Sequence, residues 1–161
     1  MAELIKVGIA DMNIVKAPDK ITTIGLGSCI GIAIRDKQLK IGGLVHIMLP
    51  DSTQVKSNAN IAKFADTGIP ELVKKLEGMG CKRVRMEAKI AGGAQMFAFQ
   101  NKSDLLGIGE KNAMASKNTL KQLGIPLISE DCGANYGRTV VYDPETGLYE
   151  VRAVGKDIIT I

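Results

Sequence analysis

Residues 22–29 read TTIGLGSC, and the fold of the chain is organised around them. An apolar, β-branched run rises into this stretch from Ile21, and a second apolar run, residues 30–34, leaves it. Glycines tolerate positive φ and let another backbone come close. The pattern therefore predicts a strand, a tight turn and a second strand, with the Cys29 thiol at the mouth of a sheet.

The second strand is predicted to be covered on both faces, because residues 29–35 are almost continuously apolar. Asp36-Lys37-Gln38 then turns the chain back into another apolar run, residues 40–48. His46, the only histidine in the chain, lies on that run. If the two runs pair, the imidazole comes within reach of the Cys29 thiol.

Such a pair is suited to nucleophilic catalysis. A thiol attacks as thiolate, and a free cysteine with a pKa of about 8.5 needs a base at neutral pH. The plainer interpretation is a buried cysteine acting as an apolar filler and a histidine that is simply hydrogen-bonded. The sequence spacing of Cys29 and His46 alone favours this plainer interpretation, because catalytic partners are close in space rather than in sequence.

Length and composition predict one domain, residues 1–161, with an aliphatic core. No apolar run approaches the ~20 residues of a membrane helix, and residues 1–7 are typical of a strand rather than a signal peptide. Three cysteines, an odd number, indicate a cytoplasmic, reducing compartment. The net charge of +4 comes with scattered lysines and no aromatic-laced basic stripe, so we expect no nucleic-acid partner.

The rest of the chain predicts an α/β domain with two principal helices and mixed, largely antiparallel strands. A helix is expected over residues 66–79, starting near 67–69 because Pro70 is tolerated only in a first turn. The second helix is expected over 110–123. Further strands are predicted at 4–10, 13–16, 83–90 (broken by 91–94) and 127–130, with a hairpin of 138–142 and 148–154.

Two other groups of residues have simple interpretations. Met96, Phe97 and Phe99 are predicted to pack in the core, the alternative being a docking surface for a protein. Cys81 and Cys132 have neither a second histidine nor a CxxC neighbour, so no zinc, and no cofactor of any kind, is expected.

The chain resembles the CheD family, the chemoreceptor glutamine deamidases of bacterial chemotaxis. The resemblance runs in order through TIGLGSC (23–29), GGLVHIMLPDS (42–52), FAD (64–66), EAKIAGGAQMF (87–97), IGEKN (108–112), Gly137-Arg138 and Thr146-Gly147. It implies a layered α/β/β sandwich and a substrate in the cytoplasmic helices of chemoreceptors.

The resemblance also implies roles for three side chains. Cys29 would be the nucleophile, His46 the base, and Thr23 the residue whose hydroxyl or carbonyl orients the imidazole, with no carboxylate needed. Thr22 would point to the other side of the strand. The reaction would convert glutamine to glutamate through a thioester, and a glutamyl methyl ester would react in the same way.

The backbone of Gly27, Ser28 and Cys29 is expected to aim N–H groups at the oxyanion, the Cys29 amide being the best donor. Ser28 is either a second donor or a turn residue, and we favour the turn. Four polar residues are expected either to rim the site or to be solvated in loops: Asp51, Ser52, Lys89 and Gln95.

Two positions depart from the pattern of the family. Lys111 stands where an arginine is expected, and Ala134 where the second of two glycines is expected. Both lie away from the thiol in the sequence, so they bear on partner binding or loop shape rather than on the chemistry.

Two other functions compete with the enzyme. A dinucleotide site fits poorly, because Ile30 occupies the place of the third glycine and a strand, not a helix, follows the turn. The stronger alternative is a binding module, since the resemblance implies docking on a CheC-type phosphatase and its stimulation. Docking needs only a surface, whereas deamidation needs the thiol.

Overall fold

The computed structural model describes residues 2–96 and 107–161. The two helices are α1 (Ala65–Gly78) and α2 (Ile108–Gln122). The strands β1 to β10 are, in chain order, Leu4–Val7, Met12–Lys16, Lys20–Leu26, Ile30–Asp36, Ile41–Ile47, Met86–Gly92, Leu127–Cys132, Arg138–Tyr142, Tyr149–Arg152 and Ile159–Thr160.

β4 lies at the centre of the molecule and is buried on both faces, as predicted. Successive side chains of a strand point to opposite sides. Ile30, Ile32 and Ile34 are fully buried in one apolar cluster with the residues of α1 and α2. Ala33 belongs instead to a second apolar cluster, which also contains Tyr149 of β9.

The strands form two sheets. We call β2-β5-β4-β6-β7 the inner sheet and β1-β3-β8-β9-β10 the outer sheet. The pairs β1–β3 and β6–β7 are parallel, and the other pairs are antiparallel. The helices cover one face of the inner sheet and the outer sheet covers the other. The layered α/β/β sandwich with two helices and largely antiparallel strands is confirmed.

Residues 27–29 carry the chain from one sheet to the other. β3 belongs to the outer sheet and β4 to the inner sheet. β4 then turns back into β5 as an antiparallel hairpin, with Ile30 paired to Ile47 and Asp36 to Ile41, as expected. Thr23 is therefore on the outer sheet and His46 on the inner sheet, while Cys29 ends the connection between them.

The start of α1 differs from the prediction. The helix begins at Ala65 rather than near residues 67–69, and Pro70 lies in its second turn. The Gly68 N–H already donates to the Phe64 carbonyl at 2.7 Å, so a regular helical bond forms before the proline. Pro70 removes the N–H that would bond the carbonyl four residues earlier, and the buried face of α1 outweighs that loss.

The predicted strand at 83–90 is also wrong at its start. Arg83–Arg85 forms a short 3-10 turn, and Val84 is 90% exposed. The Asp36 carboxylate accepts from the Lys82 N–H at 2.9 Å and binds the Arg85 guanidinium at 2.8 Å, which curls this segment over the β4–β5 turn. The predicted break at residues 91–94 begins only after β6 has run to residue 92.

Asp36 is the main polar anchor of this end of the molecule. Its side chain is fully buried and also accepts the N–H groups of Gln38 and Leu39. Burial alone would raise the pKa of Asp36, but Arg85 and these N–H groups outweigh it and hold the pKa well below its usual range. Its contribution to stability is therefore present above the unfolded-state pKa and lost as the pH falls below it.

We expect Asp36→Asn to lower the free energy of unfolding by about 2 kcal/mol at neutral pH, because several bonds to a charged group are weakened. Denaturant unfolding measures this loss, and the difference from wild type should shrink below about pH 4. Glu77→Gln is the control, because it removes one partner of an exposed ion pair with Arg83 and should cost less than about 1 kcal/mol. Equal losses for the two variants would contradict the anchoring role.

Candidate active site

The Gly27–Cys29 turn is clamped by the segment that follows β6. The Ala94 N–H donates to the Gly27 carbonyl and the Gly93 N–H to the Cys29 carbonyl, each at 2.9 Å. Gly92 has a φ of 116°, and a Cβ there would collide with the Cys29 carbonyl oxygen. Only glycine allows this approach. Residues 91–94, which the sequence predicts as a break in a strand, thus position the turn that carries the thiol.

The Ser28 carbonyl, which lies between the Gly27 and Cys29 carbonyls in the sequence, is held by a side chain. The Asn112 Nδ2 in α2 donates to it at 2.9 Å and also to the Met48 carbonyl at 2.9 Å. The sequence assigned no role to Asn112. Asn112 ends the IGEKN stretch (108–112) of the resemblance, but its role could not be read from that motif, because its partners are backbone carbonyls of distant segments.

The anchored carbonyls determine where the Cys29 N–H points. In a trans peptide the N–H points away from the C=O. Since the Ser28 carbonyl faces α2, the Cys29 N–H faces the opposite side. Burial raises the pKa of the Cys29 thiol, and a hydrogen bond from the residue's own N–H offsets part of the rise. The amide expected to stabilise an oxyanion therefore lies beside the thiol.

His46 is fully buried between the two sheets. Gly31 lies directly opposite it on β4, and directly opposed residues of paired strands share a face. A Cβ at Gly31 would lie 2.7 Å from the Tyr149 hydroxyl and 3.1 Å from a Leu26 methyl carbon. The missing side chain at Gly31 therefore leaves room for the outer sheet to close over the imidazole.

A hydrogen bond between the sheets orients the imidazole. Thr23 Oγ1 lies 2.7 Å from His46 Nδ1. The same hydroxyl donates its proton to the Val7 carbonyl at 2.8 Å. A hydroxyl has one proton, so it accepts from Nδ1–H, and the network assigns the ring proton to Nδ1. The Nε2 lone pair is left free. Thr22, by contrast, donates to the Val140 carbonyl at 2.6 Å.

Cys29 lies in the turn immediately before β4, two residues before Gly31. Its side chain is half-buried and packs against the inter-sheet cluster. His46 Nε2 is buried and has no hydrogen-bond partner in the described part of the chain. The thiol and the free imidazole nitrogen thus lie on the same side of the inner sheet without a hydrogen bond between them.

The electrostatics of the resting site favour neutral groups. Burial lowers the pKa of His46 to about 4 and raises the pKa of the Cys29 thiol. Both shifts disfavour the thiolate–imidazolium ion pair in the absence of substrate. The imidazole is therefore an unprotonated base at neutral pH.

All four residues considered for the rim have structural contacts. Asp51 caps the following turn through the Thr53 N–H, and Ser52 Oγ donates to Asp66 at 2.7 Å. Lys89 is not a solvated loop residue, since it is buried in β6 and its Nζ donates to the Ile161 carbonyl at 2.6 Å. The Gln95 N–H donates to the Ala134 carbonyl beside the clamp.

The other cysteines belong to the packing of the fold. Cys81 is buried in the cluster under the helices, and Cys132 packs against the same cluster. Within residues 2–96 and 107–161, no three His, Cys, Asp or Glu side chains converge as metal ligands. None of the helices described is long and apolar enough to cross a membrane.

Met96 does not pack in the core as predicted. It is 45% exposed and lies over Gly27, where a Cβ would come within 3.3 Å of its Cγ. Ile24, three residues before Gly27 in the sequence, is 66% exposed. Phe97 and Phe99 lie outside the described residues. One exposed apolar side chain, that of Met96, therefore lies over the turn that carries the thiol, and a second, that of Ile24, precedes the turn in the sequence.

The two departures from the family pattern occupy different environments. Ala134 has a φ of 59°, a left-handed conformation that glycine adopts at lower cost, which explains why a glycine is expected there. Lys111 is exposed on α2, next to the buried Asn112. Neither side chain belongs to the Cys29–His46–Thr23 arrangement.

Comparison with known proteins identifies the family of the chain. A family model described as CheD chemotactic sensory transduction matches residues 48–153. The chain belongs to the CheD family. The matched span begins just after His46, so it covers both helices and the Gly92–Ala94 clamp but not the three candidate catalytic side chains.

Similar proteins extend the match over almost the whole chain. A protein of Lachnoclostridium phytofermentans is 56% identical over 156 residues, covering 97% of each chain. One from Syntrophomonas wolfei is 52% identical and covers 96% of each. One from Clostridium botulinum is 55% identical over 94% of this chain and 93% of its own. All three are named "Probable chemoreceptor glutamine deamidase CheD".

We expect Thr23→Val to lower kcat for glutamine deamidation by about 10- to 100-fold, because His46 Nδ1–H loses its acceptor and the ring loses its orientation. Ammonia release from a chemoreceptor fragment measures the rate. Thr22→Val is the matched control: it removes a neighbouring buried hydroxyl that bonds Val140 instead of His46. Both variants should lose about 1 kcal/mol of stability. Equal rates for the two would refute the orienting role.

Proposed function

We propose that this chain is a cysteine-dependent deamidase that converts glutamine side chains of chemoreceptor cytoplasmic helices to glutamate, releasing ammonia. The names of its relatives support glutamine deamidation of chemoreceptors. The observation that carries the thiol mechanism is the buried His46 ring, whose Nδ1 bonds Thr23 and whose Nε2 is left free on the face that carries Cys29.

In the acylation step, Cys29 Sγ attacks the carboxamide carbon of the glutamine while its proton passes to His46 Nε2. The carbonyl oxygen becomes an oxyanion that accepts from the Cys29 N–H, with Ser28 N–H as the second available donor. His46 then gives the proton to the amide nitrogen, the C–N bond breaks, and ammonia leaves behind a thioester.

In the deacylation step, water attacks the thioester carbon and gives a proton to His46 Nε2. The C–S bond breaks, the product carboxylic acid forms, and the imidazolium returns its proton to the Cys29 thiolate. A glutamyl methyl ester would follow the same path with methanol as the leaving group. The product carboxylic acid ionises to the carboxylate of glutamate.

The low pKa of His46 suits the step in which the ring acts as an acid. A buried imidazolium with a pKa of about 4 is a stronger acid than an ordinary imidazolium, whose pKa is about 6.5, so it readily protonates the poor leaving nitrogen. Thr23 supplies a neutral acceptor rather than a carboxylate, so it orients the ring without stabilising a resting ion pair. A positive charge on the buried His46 is unfavourable, and the negative charge of the neighbouring oxyanion offsets this free energy as it forms.

The surface around the turn supports a helical protein substrate. Met96 exposes an apolar side chain over Gly27, in the turn that carries the half-buried thiol, and Ile24 exposes another three residues before Gly27. A glutamine on an amphipathic helix can enter beside Met96 while apolar neighbours on the helix contact these exposed side chains. The net charge of +4 favours an acidic partner. With receptor helices as substrate, the activity belongs to the cytoplasm.

The exposed apolar side chains of Ile24 and Met96 also support a second role, the docking of a partner protein. A helix of a CheC-type phosphatase that resembles a receptor helix would fit the same surface, as the family resemblance implies. This docking would use Ile24 and Met96 but not the Cys29 thiol.

Intact mass spectrometry of a chemoreceptor cytoplasmic fragment tests the proposed activity. Incubation with the wild type should add about one mass unit per modified glutamine, as an amide nitrogen is replaced by oxygen. Cys29→Ala and His46→Ala should leave the mass unchanged while remaining folded. Cys132→Ala is the control, since it removes the other partly exposed thiol and should retain activity.

A mass gain with Cys29→Ala would contradict the thiol mechanism. No gain with any receptor fragment, combined with stable binding of a CheC-type phosphatase that persists in Cys29→Ala, would favour the binding module over the enzyme.

A further inference from the structure

Asn112 joins two parts of the site that are far apart in the sequence. It is fully buried in the second turn of α2, and its single amide nitrogen donates to the Ser28 and Met48 carbonyls. Ser28 precedes the candidate nucleophile, and Met48 follows the strand that carries His46. One side chain therefore links the turn of the thiol to the strand of the imidazole.

The position of α2 makes this contact rigid. Gly109 packs directly on the clamp, and a Cβ there would collide with the carbonyl oxygens of Gly93 and Ala94. The Asn112 carbonyl in turn accepts from Ser116 Oγ at 2.8 Å. The first turns of α2 are thus held against the same segment that holds the Gly27–Cys29 turn.

The polar groups of Asn112 are not fully satisfied. Its Oδ1 is buried without a hydrogen-bond partner among the described residues. An unpaired buried amide oxygen costs about 1–3 kcal/mol, so an apolar side chain here would avoid a penalty. Asn112 therefore keeps an unpaired Oδ1, while its amide nitrogen donates to the two carbonyls of the site.

We propose that Asn112 is a positioning residue for the deamidation, because it fixes the plane of the Ser28–Cys29 peptide and thereby aims the Cys29 N–H at the oxyanion. This inference rests on the proposed function. Backbone N–H groups hold the Gly27 and Cys29 carbonyls, whereas a side chain holds the carbonyl of Ser28. Without Asn112 that peptide can rotate and turn a carbonyl, rather than an N–H, toward the developing negative charge.

The test compares two reactions of the same thiol. Asn112→Leu should lower kcat for deamidation of a chemoreceptor fragment by about 100-fold, with KM near that of wild type, because the lost donor acts on the transition state. Alkylation of Cys29 by iodoacetamide should stay within about twofold of wild type, because displacement of iodide forms no oxyanion. Mass mapping of the labelled cysteine separates Cys29 from the other two thiols.

Thr119→Val is the matched control. Thr119 lies further along the buried face of α2, and its hydroxyl donates to the Ala115 carbonyl, so this variant perturbs the helix without touching the turn. It should retain wild-type kcat. If Asn112→Leu does not fold, Asn112→Ala carries the same test, because it removes the donor without introducing new atoms.

The outcomes separate the inference from the function on which it rests. A wild type that does not deamidate overturns the proposed function. An active wild type with an Asn112 variant of unchanged kcat overturns the positioning role alone. A parallel loss of deamidation, alkylation and thermal stability would also overturn it, since the residue would then act only through the fold.

Discussion

The hydrogen bond between Thr23 Oγ1 and His46 Nδ1 crosses from the outer sheet to the inner sheet, and the arrangement of the site depends on it. Thr23 can reach the imidazole only because β3 and β4 belong to different sheets. The turn that carries Cys29 is the passage between these sheets. The connection that builds the sandwich therefore also brings the thiol to the edge of the inter-sheet core, in which the imidazole is buried.

Burial gives the site its chemical character. A histidine closed between two sheets is held neutral, and a half-buried thiol keeps its proton. No carboxylate is needed to orient the ring, because the Thr23 hydroxyl passes its own proton to the Val7 carbonyl and accepts from Nδ1. In the proposed mechanism, charge separation is thereby deferred to the moment of reaction, when the oxyanion can balance it. The clamp at Gly92–Ala94 holds the Gly27 and Cys29 carbonyls and so fixes the backbone of the turn that would supply the donor.

Local pattern was enough to predict β4, its turn at Asp36 and the pairing that carries His46, since these depend on neighbouring residues. The resemblance to the CheD family added the prediction that Thr23 orients the imidazole. What could not be predicted depends on contacts between distant segments: the division of β3 and β4 between two sheets, the curl of Arg83–Arg85 onto Asp36, and the hold of Asn112 on Ser28. A buried asparagine that binds backbone carbonyls leaves no periodic signal.

In the proposed mechanism, Thr23 holds the proton on His46 Nδ1 and leaves Nε2 as the base. Because His46 is the only histidine, ¹⁵N NMR of the imidazole measures this directly. We expect a protonated Nδ1 and an unprotonated Nε2 at neutral pH, with the ring titrating only near its pKa of about 4. A proton on Nε2, or titration near the ordinary value of about 6.5, would contradict it.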